Sequence, residues 1–384
     1  MNYEITESFV SEQSSNKKPF LLLILSIVCI PAAYVYLAAI FMKNLINREL
    51  NLKTKNTLYI LVYAYASIGL IFSDYKLISA VYVVIMMLCL YSYAIFNSLA
   101  DPEVINMLSK LVLRVSLVVF ILGIIQYFNP GFAMPSKWVD TGEYGLSKRV
   151  YSTFFNPNVF GFYINIIILL TIERLDVNRI NLNFFVIVSG LICLILTFSR
   201  TSWISLIAAL IAASLFNKKY IKFALMISIV IFGTDTLLGI GRADPLKAIE
   251  DSSFLYRLEI WKACIEIIKD NLVTGIGFGT LFKHVGSYST VVSTNIEHSH
   301  NLYIQIIMET GILGFTLFFS LIITILNNFK KKLYDEKNNM WITAFAVFIM
   351  TMVHGLVDSV ALTPQIMMIL AIYAGTLRTM NSEK

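Results

Sequence analysis

Glu297-His298-Ser299-His300-Asn301-Leu302-Tyr303-Ile304-Gln305, running on through Glu309, Gly311 and Gly314, joins the longest polar segment of the chain to an apolar helix. It holds two of only four histidines. Imidazole is the one side chain whose ordinary pKa lies near neutrality, so a pair spaced i, i+2 at the mouth of a membrane helix can serve as base, phosphate ligand or metal ligand. The plainer reading makes His298 and His300 polar residues at a water-facing helix start, with Asn301 as N-cap. On either reading, a polar stretch that turns into an apolar helix places this junction at a membrane surface.

Composition supports that placement. Hydrophobic residues make up 57% of the 384 and charged residues 14%, against about 25% charged in soluble domains. Mean hydropathy is +0.73. The four cysteines, Cys29, Cys89, Cys193 and Cys264, are scattered without a C-x-x-C pair, so neither a disulfide framework nor a thiolate metal site is indicated. A net charge of +6 on such a chain reports cytoplasmic anchoring loops rather than nucleic-acid binding. Residues 1 to 18 are polar, carry Glu4, Glu7 and Glu12, and show no cleavable signal, so the first apolar run is expected to stay as a span.

Apolar runs fall near 20–42, 57–74, 77–97, 110–128, 158–173, 183–199, 201–216, 220–239, 301–327, 340–360 and 363–379. A helical span needs about 17–25 residues, and the runs at 158–173 and 201–216 are on the short side. The expected fold is therefore an all-α polytopic membrane helical bundle of about 11–12 transmembrane helices. Lys43, Arg48, Lys53 and Lys55, then Arg174 and Arg179, Lys218 and Lys219, Lys330 to Lys332, and Arg378 with Lys384 all fall on one side when the spans are walked. That side is expected to be the cytoplasm. If 20–42 is one helix the amino terminus lies outside; if Pro31 turns the run into a hairpin, it lies inside.

This walk puts two segments on the outer face, a smaller one at 129–157 and a large one at 240–300. The second contains an amphipathic helix near 254–268, with Phe254, Leu255, Leu258, Trp261, Ile265 and Ile268 at helical spacing, which is expected to lie on the membrane and roof a cavity. Gly275-Ile276-Gly277-Phe278-Gly279 lacks the Lys-Ser/Thr of a phosphate loop and reads as a plain turn after that helix. Arginines at the outer ends of spans carry more information. Arg200 sits in Phe198-Ser199-Arg200-Thr201-Ser202-Trp203 between two spans with almost no loop, Arg257 is on the roof helix, and Arg149 precedes Tyr151-Ser152-Thr153-Phe154-Phe155-Asn156-Pro157-Asn158. Snorkelling to lipid headgroups is one use for such a residue. Guanidinium groups also grip phosphate bidentately, and three of them beside two histidines suggest an anion site of the kind that holds a diphosphate. Asp358, in His354-Gly355-Leu356-Val357-Asp358, can orient a histidine or an arginine, or simply end a helix near Thr363-Pro364.

Four separated segments resemble the O-antigen ligase and polysaccharide polymerase superfamily: Ser199-Arg200-Thr201-Ser202-Trp203; Arg257 with Trp261 and Gly275-Ile276-Gly277-Phe278-Gly279; His298-Ser299-His300-Asn301 with Glu309, Gly311 and Gly314; and Gly355-Leu356-Val357-Asp358. The resemblance spans roughly 150–365. Thr201-Ser202 departs from the small residues, such as Gly-Ala, found in many members, which leaves the arginine unaffected. The resemblance implies an inverting, metal-independent glycosyl transfer with no cofactor, on the periplasmic face of the bacterial inner membrane. It implies an undecaprenyl diphosphate-linked glycan as donor. The acceptor is lipid A core for a ligase, or a second lipid-linked repeat unit for a polymerase. By similarity Arg200 and Arg257 hold the diphosphate, His300 activates the acceptor hydroxyl with His298 secondary, and Asp358 supports; Arg149 joins them by position. A lipid-linked glycan transporter would also use a cationic outer cavity, but the hydropathy pattern shows no inverted repeat and no chain of intramembrane acids. A structural scaffold would leave the outer arginines and histidines unexplained.

Overall fold

The computed structural model describes residues 18–48, 57–99, 101–129, 131–132, 135, 148–175, 180–239, 241–242, 244, 247, 251–336 and 339–379. The acidic amino-terminal residues, Lys53, Lys55, Arg179, Lys384, most of 129–147 and much of 240–250 lie outside the described residues. Among the described residues the chain is all-α: helices α1 (Lys18–Val28), α2 (Ile30–Ile46), α3 (Thr57–Ile71), α4 (Lys76–Asn97), α5 (Pro102–Phe128), α6 (Pro157–Arg174), α7 (Leu182–Leu196), α8 (Arg200–Ser214), α9 (Lys219–Leu237), α10 (Ser252–Asp270), α11 (Leu281–His284), α12 (Leu302–Glu336), α13 (Asn339–His354) and α14 (Pro364–Thr379). Four of them, α4, α5, α9 and α12, are long and apolar enough to cross a bilayer alone; α1, α2, α3, α7, α8, α13 and α14 are shorter apolar helices. The assembly is a helical membrane bundle, as the apolar runs imply.

The first run, open between span and hairpin in the sequence, is a hairpin. Leu23 of α1 lines the same cavity as Phe96 near the end of α4, while Asn44 near the end of α2 bonds Tyr91 of α4. A straight helix would put residues 23 and 44 about 30 Å apart, so the chain reverses at Cys29, whose φ of −148° breaks the helix one residue before Ile30-Pro31. The break frees the carbonyls of Ser26 and Ile27, and both are satisfied by Gln365 Nε2, with Thr153 Oγ1 also donating to Ile27.

At the centre stands α6, buried on nearly every face from Val159 to Ile172. Its N-cap Asn156 accepts from the Asn158 and Val159 amides, and Pro157 takes the first helical position, where no N–H is needed. Asn165 donates to the Ser202 carbonyl, and a Cβ on Gly161 would run into the Ser202 hydroxyl, so α6 and α8 approach closely. Around this core α5 and α6 pack on α7, α8 packs along α13, and α4 packs along α14. Arg174, Lys219 and Asn183 meet at one end of the bundle, where Lys219 donates to the Ile172 and Glu173 carbonyls and Asn217 pairs with Asn339. The opposite end carries residues 149–158, 199–200, 251–257, 298–301 and 355–359.

Helix α10 covers the stretch where an amphipathic helix is expected, with its apolar face turned. Ile260, Ala263, Cys264 and Ile267 are buried, whereas Leu255 and Ile265, which the sequence spacing places in the apolar stripe, are 49% and 44% exposed. The helix is apolar around more than half its circumference, and packing against Ile276, Leu281, Val285 and Met308 selects the side opposite the more obvious stripe. The glycine-rich turn after it clasps α12. There α12 breaks at Gly311 (φ +61°, ψ −166°). The opened ladder exchanges bonds with the turn: Ile276 and Gly277 amides donate to the Met308 and Glu309 carbonyls, and Ile312 and Leu313 amides donate to Leu272 and Val273. The Gly311 backbone conformation is open only to glycine, and an added Cβ would overlap the Val273 carbonyl. Gly311→Ala is therefore expected to destabilise the protein by about 1–3 kcal/mol from backbone strain, with more from the overlap. A fall in the unfolding temperature of detergent-solubilised protein checks it, and Gly233→Ala, which meets open space, is the control.

Candidate active site

The site is assembled from the five segments at this end of the bundle. The α7–α8 corner turns at Phe198, with φ +50°, and Thr197 turns its carbonyl to Arg149 Nε at 2.9 Å. Ser199 and Ser202, small enough to face Gly161, share a hydroxyl pair at 2.9 Å and leave Arg200 at the start of α8. Ser152, Phe155 and His300 also adopt left-handed backbone conformations. Non-glycine residues rarely do so unless the surroundings hold them there, and such strain gathers at functional sites.

A hydrogen-bonded line crosses the site. Arg149 Nη2 donates to Asn158 Oδ1 at 3.1 Å, Asn158 Nδ2 donates to Asp358 Oδ2 at 2.8 Å, and Asp358 Oδ1 lies 3.3 Å from His300 Nδ1 and 3.9 Å from His298 Nε2. The Ser359 amide holds the same Oδ1 at 2.9 Å. The His298 and His300 rings lie 4.3 Å apart between centroids. From the roof, Trp261 Nε1 donates to the Ser299 carbonyl, while Asn301 caps α12 by accepting from the Tyr303 and Ile304 amides. The N-cap reading of Asn301 is thus observed, and it does not compete with a site role for its histidine neighbours. With Asp358 on Nδ1, His300 keeps Nε2 for a substrate.

The arginines form the other half. Arg200 Nη2 bonds Asp251 Oδ2 at 2.6 Å, and Arg242 Nη1 lies 4.0 Å from the same oxygen. Asp251 is buried and also caps α10 by accepting from the Phe254 amide, so it ties the roof to the α8 corner. Burial first, and then the guanidiniums of Arg242, Arg257 and Arg200, lower the pKa of Arg149 to about 9, with Asp358 acting against them. It is still a cation at neutral pH. Arg242, Arg257 and Arg200 are thus close enough to Arg149 to repel it, an arrangement that an anion carrying several charges relieves. Burial alone would raise the Asp358 carboxyl, but the hydrogen bond and charge of His300, with Arg257 and His298, hold it well below the usual carboxylate range. Burial and then His300 push His298 below the ordinary imidazole value; its side chain is 37% exposed, which tempers the shift without changing its sign. His298 is neutral at neutral pH.

All six residues singled out in the sequence, His300, His298, Asp358, Arg200, Arg257 and Arg149, lie at this end of the bundle. The sequence reading missed Arg242, Asn158 and Asp251. Arg242 follows a Gly-x-Gly turn with no periodic context, and Asn158 looks like one more helix-start residue. His354, buried beneath the site with its Nε2 3.5 Å from the Ser202 hydroxyl, was legible only as part of the motif before Asp358. His298, His300 and Asp358 offer three ligand atoms within 4.8 Å of one another, a donor set that can accept a divalent cation. The same atoms also form a base with its orienting carboxylate, and Asp358 is already engaged by Asn158 and Ser359.

Residues 185–319 match the family model described as O-antigen ligase. No curated protein matches the chain. The matched segment begins in α7, ends in α12, and contains Arg200, Arg242, Arg257, His298 and His300, while Arg149, Asn158 and Asp358 reach the site from outside it. Residues 185–319, which supply both histidines and three of the four clustered arginines, are thus similar to the O-antigen ligase family, and the apolar helices around them make a multi-pass membrane bundle.

Proposed function

We propose that the protein is an inverting, metal-independent glycosyltransferase and acts as an O-antigen ligase. It would move a glycan from undecaprenyl diphosphate onto lipid A core at the periplasmic face of the inner membrane. The observation that carries this reading is the meeting of four arginines with the His300–Asp358 pair under one roof helix. Arg174 and Lys219 at the far end of the bundle support a cytoplasmic assignment of that end, and with it an outer-face site, where nucleotide donors are absent.

The chemistry balances on the residues present. The acceptor hydroxyl attacks the anomeric carbon from the side opposite the diphosphate, and its proton passes to His300 Nε2. The anomeric C–O bond breaks with its electron pair staying on the diphosphate. That charge grows as the bond breaks, so fixed guanidiniums stabilise the transition state more than the ground state. Asp358 holds His300 in the tautomer that accepts at Nε2 and stabilises the imidazolium that forms. The test is gel analysis of surface glycan from cells lacking the gene. Long chains accumulating on the lipid carrier, with none on lipid A core, are expected. Single repeat units on the core would make the enzyme a polymerase, and an unchanged pattern would overturn both.

A further inference from the structure

Beside the site lies a chamber of about 380 Å³ whose wall includes Tyr65, Tyr82, Phe154, Phe155, Glu297 and His298. None of the four clustered arginines lines it. Aromatic faces with a few carboxylates and amides suit the apolar ring faces and hydroxyls of sugars, not a diphosphate. A second cavity of about 320 Å³ continues from it between α3, α4, α12 and α14, and the two share Tyr65, Met86, Leu362 and Met367. Its remaining wall is almost wholly apolar, with Leu61, Leu90, Leu317, Phe318, Leu321 and Leu370.

We propose that the chamber and this groove form one site for an amphipathic glycolipid, with the sugar against His298 and the aliphatic tail between α4 and α12. Under the transferase reading this molecule is the acceptor, which is therefore lipid-borne. The donor does not fit the same place. Its diphosphate lies between lipid and sugar, so a diphosphate on the arginines sends the donor tail away from them on the side opposite the reacting sugar. The groove opens instead from the sugar side, one chamber away from the arginines. A hydroxyl presented from the chamber would meet His298, which lines it and whose ring lies 4.3 Å from that of His300.

The test uses the full chain in lipid nanodiscs with an alkyl glucoside that carries a diazirine at the end of its tail. Light-induced cross-links are expected on α3, α4 and α12 around Leu61, Leu90 and Leu317. They are expected to fall about ten-fold when the glucose head is replaced by a plain hydroxyl, the loss that follows from removing a sugar's contacts in the chamber. Leu317→Trp and Leu90→Trp, which fill the groove from opposite walls, are each expected to lower labelling by a similar factor, while Ile211→Phe on the lipid face of α8 leaves it unchanged. Labelling that ignores the head group, or that spreads evenly over the lipid-facing helices, would show a crevice filled by bulk lipid and overturn the proposal. Competition by a branched polyprenyl glycolipid against a straight-chain acyl one identifies the natural carrier. Labelling in place, with surface glycan unchanged in cells lacking the gene, would keep this site and defeat the transferase reading instead.

Discussion

Arg200→Ala is expected to lower glycan transfer about 10²–10³-fold, the loss typical when one preorganised donor to a developing oxyanion is removed. The variant is also expected to be less stable. Arg200 pairs with Asp251 at 2.6 Å, and that carboxylate is 1% exposed. Removing one partner of a buried pair typically costs about 3–5 kcal/mol, and here Arg242, at 4.0 Å, remains to offset part of it. The two losses separate in a second variant. Asp251→Asn keeps an oxygen to cap the Phe254 amide and removes only the charge, so Arg200→Ala combined with Asp251→Asn is expected to recover most of the unfolding temperature and none of the transfer. If activity returns together with stability, Arg200 is an anchor of the roof and not a phosphate ligand. Rates with a purified lipid-linked donor, measured beside thermal unfolding in the same detergent, decide the matter.

The sequence showed the parts of this site that are stamped on its local pattern. A polar-to-apolar junction with an Asn N-cap marks the start of α12, and an arginine between two apolar runs with no loop must sit at a surface corner, as Arg200 does. The roof helix was legible because nineteen residues from Ser252 to Asp270 repeat at helical spacing, although which of its apolar faces turns inward is decided by the turn and α12. What could not be read are relations across long separations. Asn158 is a helix-start residue in the sequence and becomes the link between Arg149 and Asp358 only because α6 stands at the centre of the bundle, 200 residues before its partner. Asp251 precedes a helix like any N-cap, and nothing local says that Arg200 will lie against it. The turn at Cys29 is similar: Pro31 permits either a bend or a reversal, and Gln365, from the other end of the chain, satisfies the carbonyls that the reversal exposes.

Asp358→Asn is expected to reduce transfer by on the order of 10²–10⁴-fold, and the hydrogen-bonded line explains why an isosteric change is so damaging. Each oxygen of Asp358 only accepts: Oδ1 from the Ser359 amide and His300 Nδ1, Oδ2 from Asn158 Nδ2. An amide in its place must turn its NH₂ one way or the other. Facing His300, it meets the Ser359 amide head-on and forces the imidazole to accept at Nδ1, which puts the ring proton on Nε2 and removes the base. Facing Asn158, it meets another NH₂, and Asn158 can yield only by flipping its own amide, which withdraws the oxygen that Arg149 holds at 3.1 Å. The fault therefore travels either to the base or to the phosphate-binding end. Adding Asn158→Asp repairs the polarity, because a carboxylate there accepts from Arg149 and from the new NH₂, which leaves the amide oxygen to accept from Ser359 and His300. The double variant is expected to regain at least about ten-fold of the lost rate, while Asn158→Asp alone, which sets two carboxylates against each other, loses activity. A structural role for Asp358 would be indifferent to the order of donors and acceptors; if the double variant is no faster than Asp358→Asn, this line does not position the base.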